Sequence, residues 1–421
     1  MLLSVFLIGG IRPEFILFAM TLAGVAIFHK RTMEVALVGL LGILLLKFFM
    51  DPGFGFLQHF FGDLPLVDQL LNKDARSGEW PILLNLLGLL LGFAILARVF
   101  EESKVPEALP AILPDDWKGG LLLLFLIMLL SSFLDNIAAA MIGGSIAMVV
   151  YKGKVHLGYL AAIIAASNAG GAGSVVGDTT TTLMWIDGVD PLDVTHAYIA
   201  SIAAFLIFGV VGSLQQDRYH KIRKDPPKKL SLKYDRLLVV LAMLIMAIVT
   251  NFFYDFPALG VWIAILLGAL FVPMPWRELS RALKGSIFLI ALVTAASLMP
   301  VEELPAASVG TALALGFVSS VFDNIPLTKL CLDQGGYDWG VLAYAVGFGG
   351  SMIWFGSSAG VALSGMYPET RNTFKYVAKG WHVILAYVIG FYVMIAIAGW
   401  NPHTPHRIKP GQETIIKTGD Q

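Results

Sequence analysis

One phrase occurs twice in this chain, as Ser131-Ser-Phe-Leu-Asp-Asn136 and as Ser319-Ser-Val-Phe-Asp-Asn324. Each copy ends an apolar run and precedes, a few tens of residues on, a Gly-Gly stretch. A carboxylate at membrane depth costs about 2.5–3.5 kcal/mol or more and is seldom present without a function. An Asp-Asn step in an apolar helix supplies side-chain oxygens and favours local departure from helical hydrogen bonding. The carbonyls so freed can coordinate, and broken helices are tolerated at depth only where they line a cavity. Ser131 and Ser319 stand four residues ahead of Asp135 and Asp323, on the same helical face. Oxygen sets of this kind suit hard cations such as sodium, and the same carboxylates can take a proton instead. One such Asp alone could equally cap a helix start. Two in matching positions of two halves point to a paired site at the centre of a repeat-built transporter.

A second constellation reads Ser167-Asn-Ala-Gly-Gly-Ala-Gly-Ser-Val-Val-Gly-Asp178, followed by Thr179-Thr-Thr-Thr182. Its partner is Gly347-Phe-Gly-Gly-Ser-Met-Ile-Trp-Phe-Gly-Ser357-Ser358. Setting Gly170-Gly171 on Gly349-Gly350 brings Gly177 onto Gly356, Asp178 onto Ser357 and Thr179 onto Ser358 without a gap. The glycines allow close backbone approach and unwinding. A small-residue packing face of the GxxxG type would account for them, but not for Asn168, Asp178 and four consecutive threonines.

The elements that must carry these residues are membrane helices. The chain has 421 residues, 57% hydrophobic and 14% charged, with a mean hydropathy of +0.75. Soluble domains carry about 25% charged residues, so this is an all-α polytopic membrane protein. Runs long enough to span a core of about 30 Å recur near 14–28, 33–50, 80–99, 119–134, 156–170, 194–214, 236–254, 257–273, 286–300, 307–322, 338–355 and 377–399. Several are interrupted by Gly or Asp-Asn, so roughly ten to twelve transmembrane segments are expected, some broken or re-entrant. Met1 to Gly10 lacks a basic n-region and a small-residue exit, so no cleavable signal peptide is expected.

The basic stretch from Asp217 to Arg236, with Pro226-Pro227 in its middle, interrupts the hydropathy. It reads as a solvated linker, and the positive-inside rule places it in the cytoplasm; such a stretch could also touch anionic lipid. His29-Lys-Arg31 is a second basic turn, placed on the same side. By parity Trp80 enters from outside and Trp276 from inside, so the two halves are inverted, a transporter arrangement. The expected division is 1–79 scaffold, 80–214 first repeat, 215–235 linker, 236–275 scaffold, 276–400 second repeat and 401–421 tail.

Other polar residues carry less. Arg98, Glu101 and Glu102 fall at the inner end of a segment, where snorkelling charges are routine. Glu302 and Glu303 are expected near the outer interface, and His59 in an amphipathic external stretch. Lys329 is read either as an ion-pair partner of Asp323 or as a snorkelling lysine. The single cysteine, Cys331, excludes an internal disulfide. The net charge of −1 predicts no nucleic-acid partner. No phosphate-binding loop argues for ATP-driven transport. No Ser/His/Asp or metal-ligand spacing argues for an enzyme, so neither cofactor nor catalytic residue is expected.

The stretch from Asn168-Ala-Gly-Gly-Ala through Gly-Asp-Thr-Thr-Thr-Thr-Leu-Met-Trp185 closely resembles the signature of NhaD-type sodium/proton antiporters, in the ion transporter superfamily. Phe322-Asp-Asn-Ile-Pro326 and Gly349-Gly-Ser with the following Gly-Ser-Ser-Ala-Gly360 resemble the second-half signatures, and the likeness runs from about Trp80 to the last helix. The resemblance implies a bacterial inner-membrane exchanger of Na⁺, and often Li⁺, for H⁺. Carried over by position, its ion site comprises Ser131, Asp135, Asn136, Asn168, Asp178, Thr180, Thr181, Ser319, Asp323, Asn324, Ser351 and Ser357. The chain departs from the family pattern where Ile137-Ala-Ala-Ala140 replaces a threonine-rich run, where an acidic residue after Trp80 is displaced, and at Lys329. The expected mechanism is competition of Na⁺ and H⁺ for paired midplane aspartates, with one repeat-built unit moving against a scaffold and a homodimer steadying that scaffold. The rival readings are a sodium-coupled carboxylate symporter, taking citrate or a dicarboxylate, and a passive channel. Opposed, interrupted repeats argue against a continuous channel pore.

Overall fold

The computed structural model describes residues 11–28, 31–51, 53–224 and 231–404. His29 and Lys30 of the first basic turn, the Pro-Pro centre of the linker and most of the tail lie outside the described residues. Among the described residues there are helices and no β-strand. The main helices are α1 (Pro13–Ile27), α2 (Thr32–Met50), α3 (Trp80–Glu102), α4 (Trp117–Leu130), α5 (Asn136–Val150), α6 (Leu157–Gly171), α7 (Thr179–Asp187) and α8 (Ala197–Tyr219). After the linker come α9 (Tyr234–Tyr254), α10 (Pro257–Gly268), α11 (Arg277–Ser297), α12 (Val309–Ser319), α13 (Asn324–Gln334), α14 (Trp339–Ala343), α15 (Ser358–Met366) and α16 (Trp381–Ala398). Six helical stretches are long and apolar enough to cross a membrane unaided: Thr32–Met50, Trp80–Glu102, Pro191–Tyr219, Tyr234–Tyr254, Arg277–Ser297 and Trp381–Ala398. The protein is a multi-pass membrane protein.

The apolar runs at 119–134 and 307–322 do not cross. Each stops at its Asp-Asn step and turns back as a hairpin. The ends of α4 and α5 meet on one face: Asp115 pairs with Lys224 at 3.1 Å, and the Arg223 amide donates to the Val150 carbonyl at 2.8 Å. Both contacts are to the start of the basic linker, just beyond α8. The α12–α13 hairpin closes on the other face. There Gln334 donates to the Pro305 carbonyl at 2.9 Å, and the Gly336 amide donates to His403 beyond the end of α16. The start of α8 lies at that second face, because His196 bonds Asp338 at 2.6 Å. The two hairpins therefore enter from opposite ends of α8, which is the inversion the charge pattern implied.

Two broken crossings complete the core. Helix α6 rises from the linker face, unwinds over Ala172–Asp178 and continues as α7; α14 descends through a π-helical turn at Tyr344–Phe348, unwinds and continues as α15. Packing repeats across the inversion: α5 lies on α15 and α13 lies on α7, while α10 lies on α3 and α2 lies on α11. Long helices α8 and α16 pack on one another, as do α3 and α11. Local chemistry sets the helix starts. Asp116 caps α4 through the Lys118 amide at 2.9 Å, Ser308 and Thr311 form a capping box on α12, and Ser357 caps α15 through Gly360.

Candidate ion site

The four interruptions meet at the centre. Asp135 and Asp323 are the last extended residues before α5 and α13. Asp323 Oδ1 accepts the Ile325 amide at 3.0 Å, so it does cap its helix. Both are half-buried, while Asn136, Asn324 and Asp178 are buried. Asp178 holds the N-cap position of α7 without a well-formed cap hydrogen bond, the Thr179 and Thr180 amides and hydroxyls lying near its carboxylate. Its Oδ1 accepts from Asn136 Nδ2 at 2.8 Å. That amide also donates to Asn168 Oδ1 at 3.0 Å, and Asn168 Nδ2 reaches across to Ser351 Oγ in the second half at 2.9 Å. Asp178 Oδ2 and Thr180 Oγ1 are buried with no hydrogen-bond partner among the described residues. A buried carboxylate oxygen left open in this way is costly and is an available ligand atom. It faces Gly347, whose bare α-carbon leaves the approach clear; a Cβ there would sit 3.2 Å away.

The duplication read from the glycines is reproduced in contacts. Ser131 Oγ donates to the Ser167 carbonyl at 2.5 Å, and Ser319 Oγ donates to the Val346 carbonyl at 2.7 Å. Ser167 and Val346 are the same position in the two registers. A side chain on Gly170 would collide with the Met128 carbonyl, and one on Gly349 with that of Gly316, again matching positions. The halves differ in chemistry. Where the first half carries Asn168 and Asp178, the second carries Gly347 and Ser357, and Ser357 is used to cap α15.

Of the twelve expected residues, Asn136, Asn168, Asp178 and Ser351 form one continuous hydrogen-bonded set. Asp178 is tied to the first hairpin through Asn136, the neighbour of Asp135 in the chain, whose amide donates to its Oδ1 at 2.8 Å. Ser131 and Ser319 spend their hydroxyl protons on carbonyls of α6 and of the π-helical turn, and Thr181 on one in the first unwound segment, which leaves only their lone pairs for a ligand. Thr181 bonds the Ser174 carbonyl at 2.6 Å, and Ser174 Oγ bonds the Ser132 carbonyl at 2.5 Å, tying the first unwound loop to the first hairpin tip. Ser132 and Ser174 were not singled out by sequence, although both lie inside the repeated phrases.

Lys329 neither pairs with Asp323 nor snorkels. It is buried, with Nζ 2.9 Å from Asp333, 3.0 Å from Glu79 and 3.8 Å from Asp187. Six residues of α-helix turn Lys329 about 240° from Asp323, whereas Asp333 is one turn on and on the same face. Arg98 is exposed and bonds Glu101 and Glu102, Glu303 bonds Arg12 at 3.3 Å, and His59 Nε2 lies 3.2 Å from Ser297 Oγ.

The chain is 26% identical to the Na(+)/H(+) antiporter NhaD of Vibrio cholerae over 73% of this chain and 77% of that relative. It is 27% identical to sodium/proton antiporter 1 of Arabidopsis thaliana over 61% of this chain, about half (51%) of that relative's length. It is 27% identical to sodium/proton antiporter 2 of the same plant over 59% of this chain and 69% of the relative. A model of the citrate transporter family (CitMHS) matches residues 5–349, from the first helices through both hairpins to the second unwound crossing. The chain is a member of that citrate transporter family of membrane proteins.

Proposed function

We propose that the protein exchanges Na⁺, and also Li⁺, for H⁺ by alternating access around the Asp135–Asp178–Asp323 centre. The observation that carries this reading is the composition of the centre: three carboxylates, side-chain amides and hydroxyls, with the buried Lys329 held by its own three carboxylates elsewhere. Such a set attracts a hard cation or protons and repels an organic anion. The names of the relatives support the same assignment. The first half, with Asn168, Asp178 and the open Thr180 hydroxyl, is the fuller oxygen set and is assigned the cation. Asp323 and Asn324, with Ser351 and Ser357, complete the site from the second half. Na⁺ and H⁺ compete for the carboxylates, and each sends the loaded carrier across in its own direction. Unequal charge exchange would draw on the membrane potential, at about 2.3 kcal/mol per charge per 100 mV.

The family description favours a second reading, a sodium-coupled symporter of citrate or a related carboxylate. Bound cations would then have to neutralise the acid beside the aspartates. In both readings the protein sits in the bacterial inner membrane with the 215–235 linker in the cytoplasm, as a homodimer held by its scaffold helices. The test is antiport in everted vesicles by Asp135→Asn, Asp178→Asn and Asp323→Asn, each of which retains size and shape. Each variant is expected to insert normally and to lose Na⁺-dependent proton movement by at least a hundredfold. Wild-type exchange by all three would refute the site.

A further inference from the structure

Lys329 and the three carboxylates around it break the internal symmetry of the molecule. In the register that sets Asp135 on Asp323, Lys329 falls on Met141 and Asp333 on Ser145. In the register that sets Gly170 on Gly349, Asp187 falls on Met366. Glu79 precedes Trp80, and the residue ahead of Trp276 is Pro275. Every charged member thus has an uncharged counterpart. The structure uses the two sets at equivalent contacts. On the face opposite the linker, α7 and α13 are clasped by Lys329 to Glu79, at the start of the long helix α3. On the linker face, α5 and α15 meet through apolar groups: Leu363 and Met366 lie against Gly144, and the Tyr367 hydroxyl bonds the Gly144 carbonyl at 2.8 Å.

Position gives the cluster its role. Helices α7 and α13 begin at Asp178 and Asp323, in the central site, and end at Asp187 and Asp333, in the cluster. Parting them from α3 at their outer ends would release both helices whose inner ends carry the central residues. We propose that Lys329 with Glu79, Asp187 and Asp333 is the gate on the face opposite the linker, closed here by a buried ion-pair cage, and that the linker-face gate is its apolar counterpart. Lys329 acts as a positioning residue, not as a ligand of the carried ion. The proposal rests on the alternating-access reading but not on which ion or acid is carried.

A thiol reporter tests it independently of transport. Leu183, fully buried one turn before Asp187 on α7, is replaced by Cys in a Cys331→Ser background. A membrane-impermeant maleimide is then added to the face opposite the linker. Glu79→Gln, which frees the cage from α3 alone, and Lys329→Met, which removes its centre, are each expected to speed labelling at least tenfold. Labelling of Ala362→Cys, the matching position, from the linker face should not rise. If Lys329→Met fails to accumulate, Glu79→Gln decides. Labelling at the parent rate in folded variants, or equal rises on both faces, would overturn the gate.

Discussion

Asp178 is, among the described residues, the buried carboxylate that bonds the first hairpin and faces the second half, and the proposed site turns on it. It stood out in sequence as a polar intrusion between glycines and threonines, and its alignment with Ser357 sets a carboxylate in one half against a hydroxyl in the other. The bridge from Asn168 to Ser351 was not legible as a contact, since 183 residues separate the two. Removing that bridge gives a residue-scale prediction. Asn168→Ala leaves Ser351 without its donor and Asn136 with one acceptor instead of two. A buried group so deprived loses about 1–3 kcal/mol, so half-saturating Na⁺ for proton movement should rise about tenfold or more, with exchange still measurable. Lys329 shows the opposite failure. The nearest carboxylate in one direction along the chain drew attention, while helical phase supplied Asp333 and two distant segments supplied Glu79 and Asp187.

At the scale of the elements, the glycine register was the most informative signal, because it encodes backbone contact and not composition. Gly170 and Gly177 let the unwound first crossing lie on the carbonyls of Met128 and Ser131, and Gly349 and Gly356 do the same for the second against Gly316 and Ser320. Gly170→Ala and Gly177→Ala are therefore expected to abolish accumulation of folded protein in the membrane. Gly365, in α15 with open space around its α-carbon, is the contrast: Gly365→Ala should raise the melting temperature through a gain of about 0.4–1 kcal/mol. Thermal unfolding of detergent-purified variants checks both. Hydropathy could not separate a crossing from half a hairpin, since α4 and α12 are as apolar as true spans; only the contacts at their ends distinguish them.

For the whole molecule, the basic linker and the placement of Trp80 and Trp276 were enough to infer inversion, and the contacts at the two ends of α8 agree. What charge and hydropathy left out was how the halves interlock: a helix of each half leans on the long helix of the other, α10 on α3 and α2 on α11. At the centre the bond from Asn168 to Ser351 joins residues of both halves. The central claim is that this shared site takes a cation and a proton in alternation. The most direct measurement is proton movement reported by a pH-sensitive dye in proteoliposomes, on adding Na⁺, Li⁺ or K⁺ and then citrate or succinate. The account predicts proton efflux on Na⁺ and Li⁺ addition without any carboxylate. No response to the cations alone, with labelled citrate entering only alongside Na⁺, would contradict it.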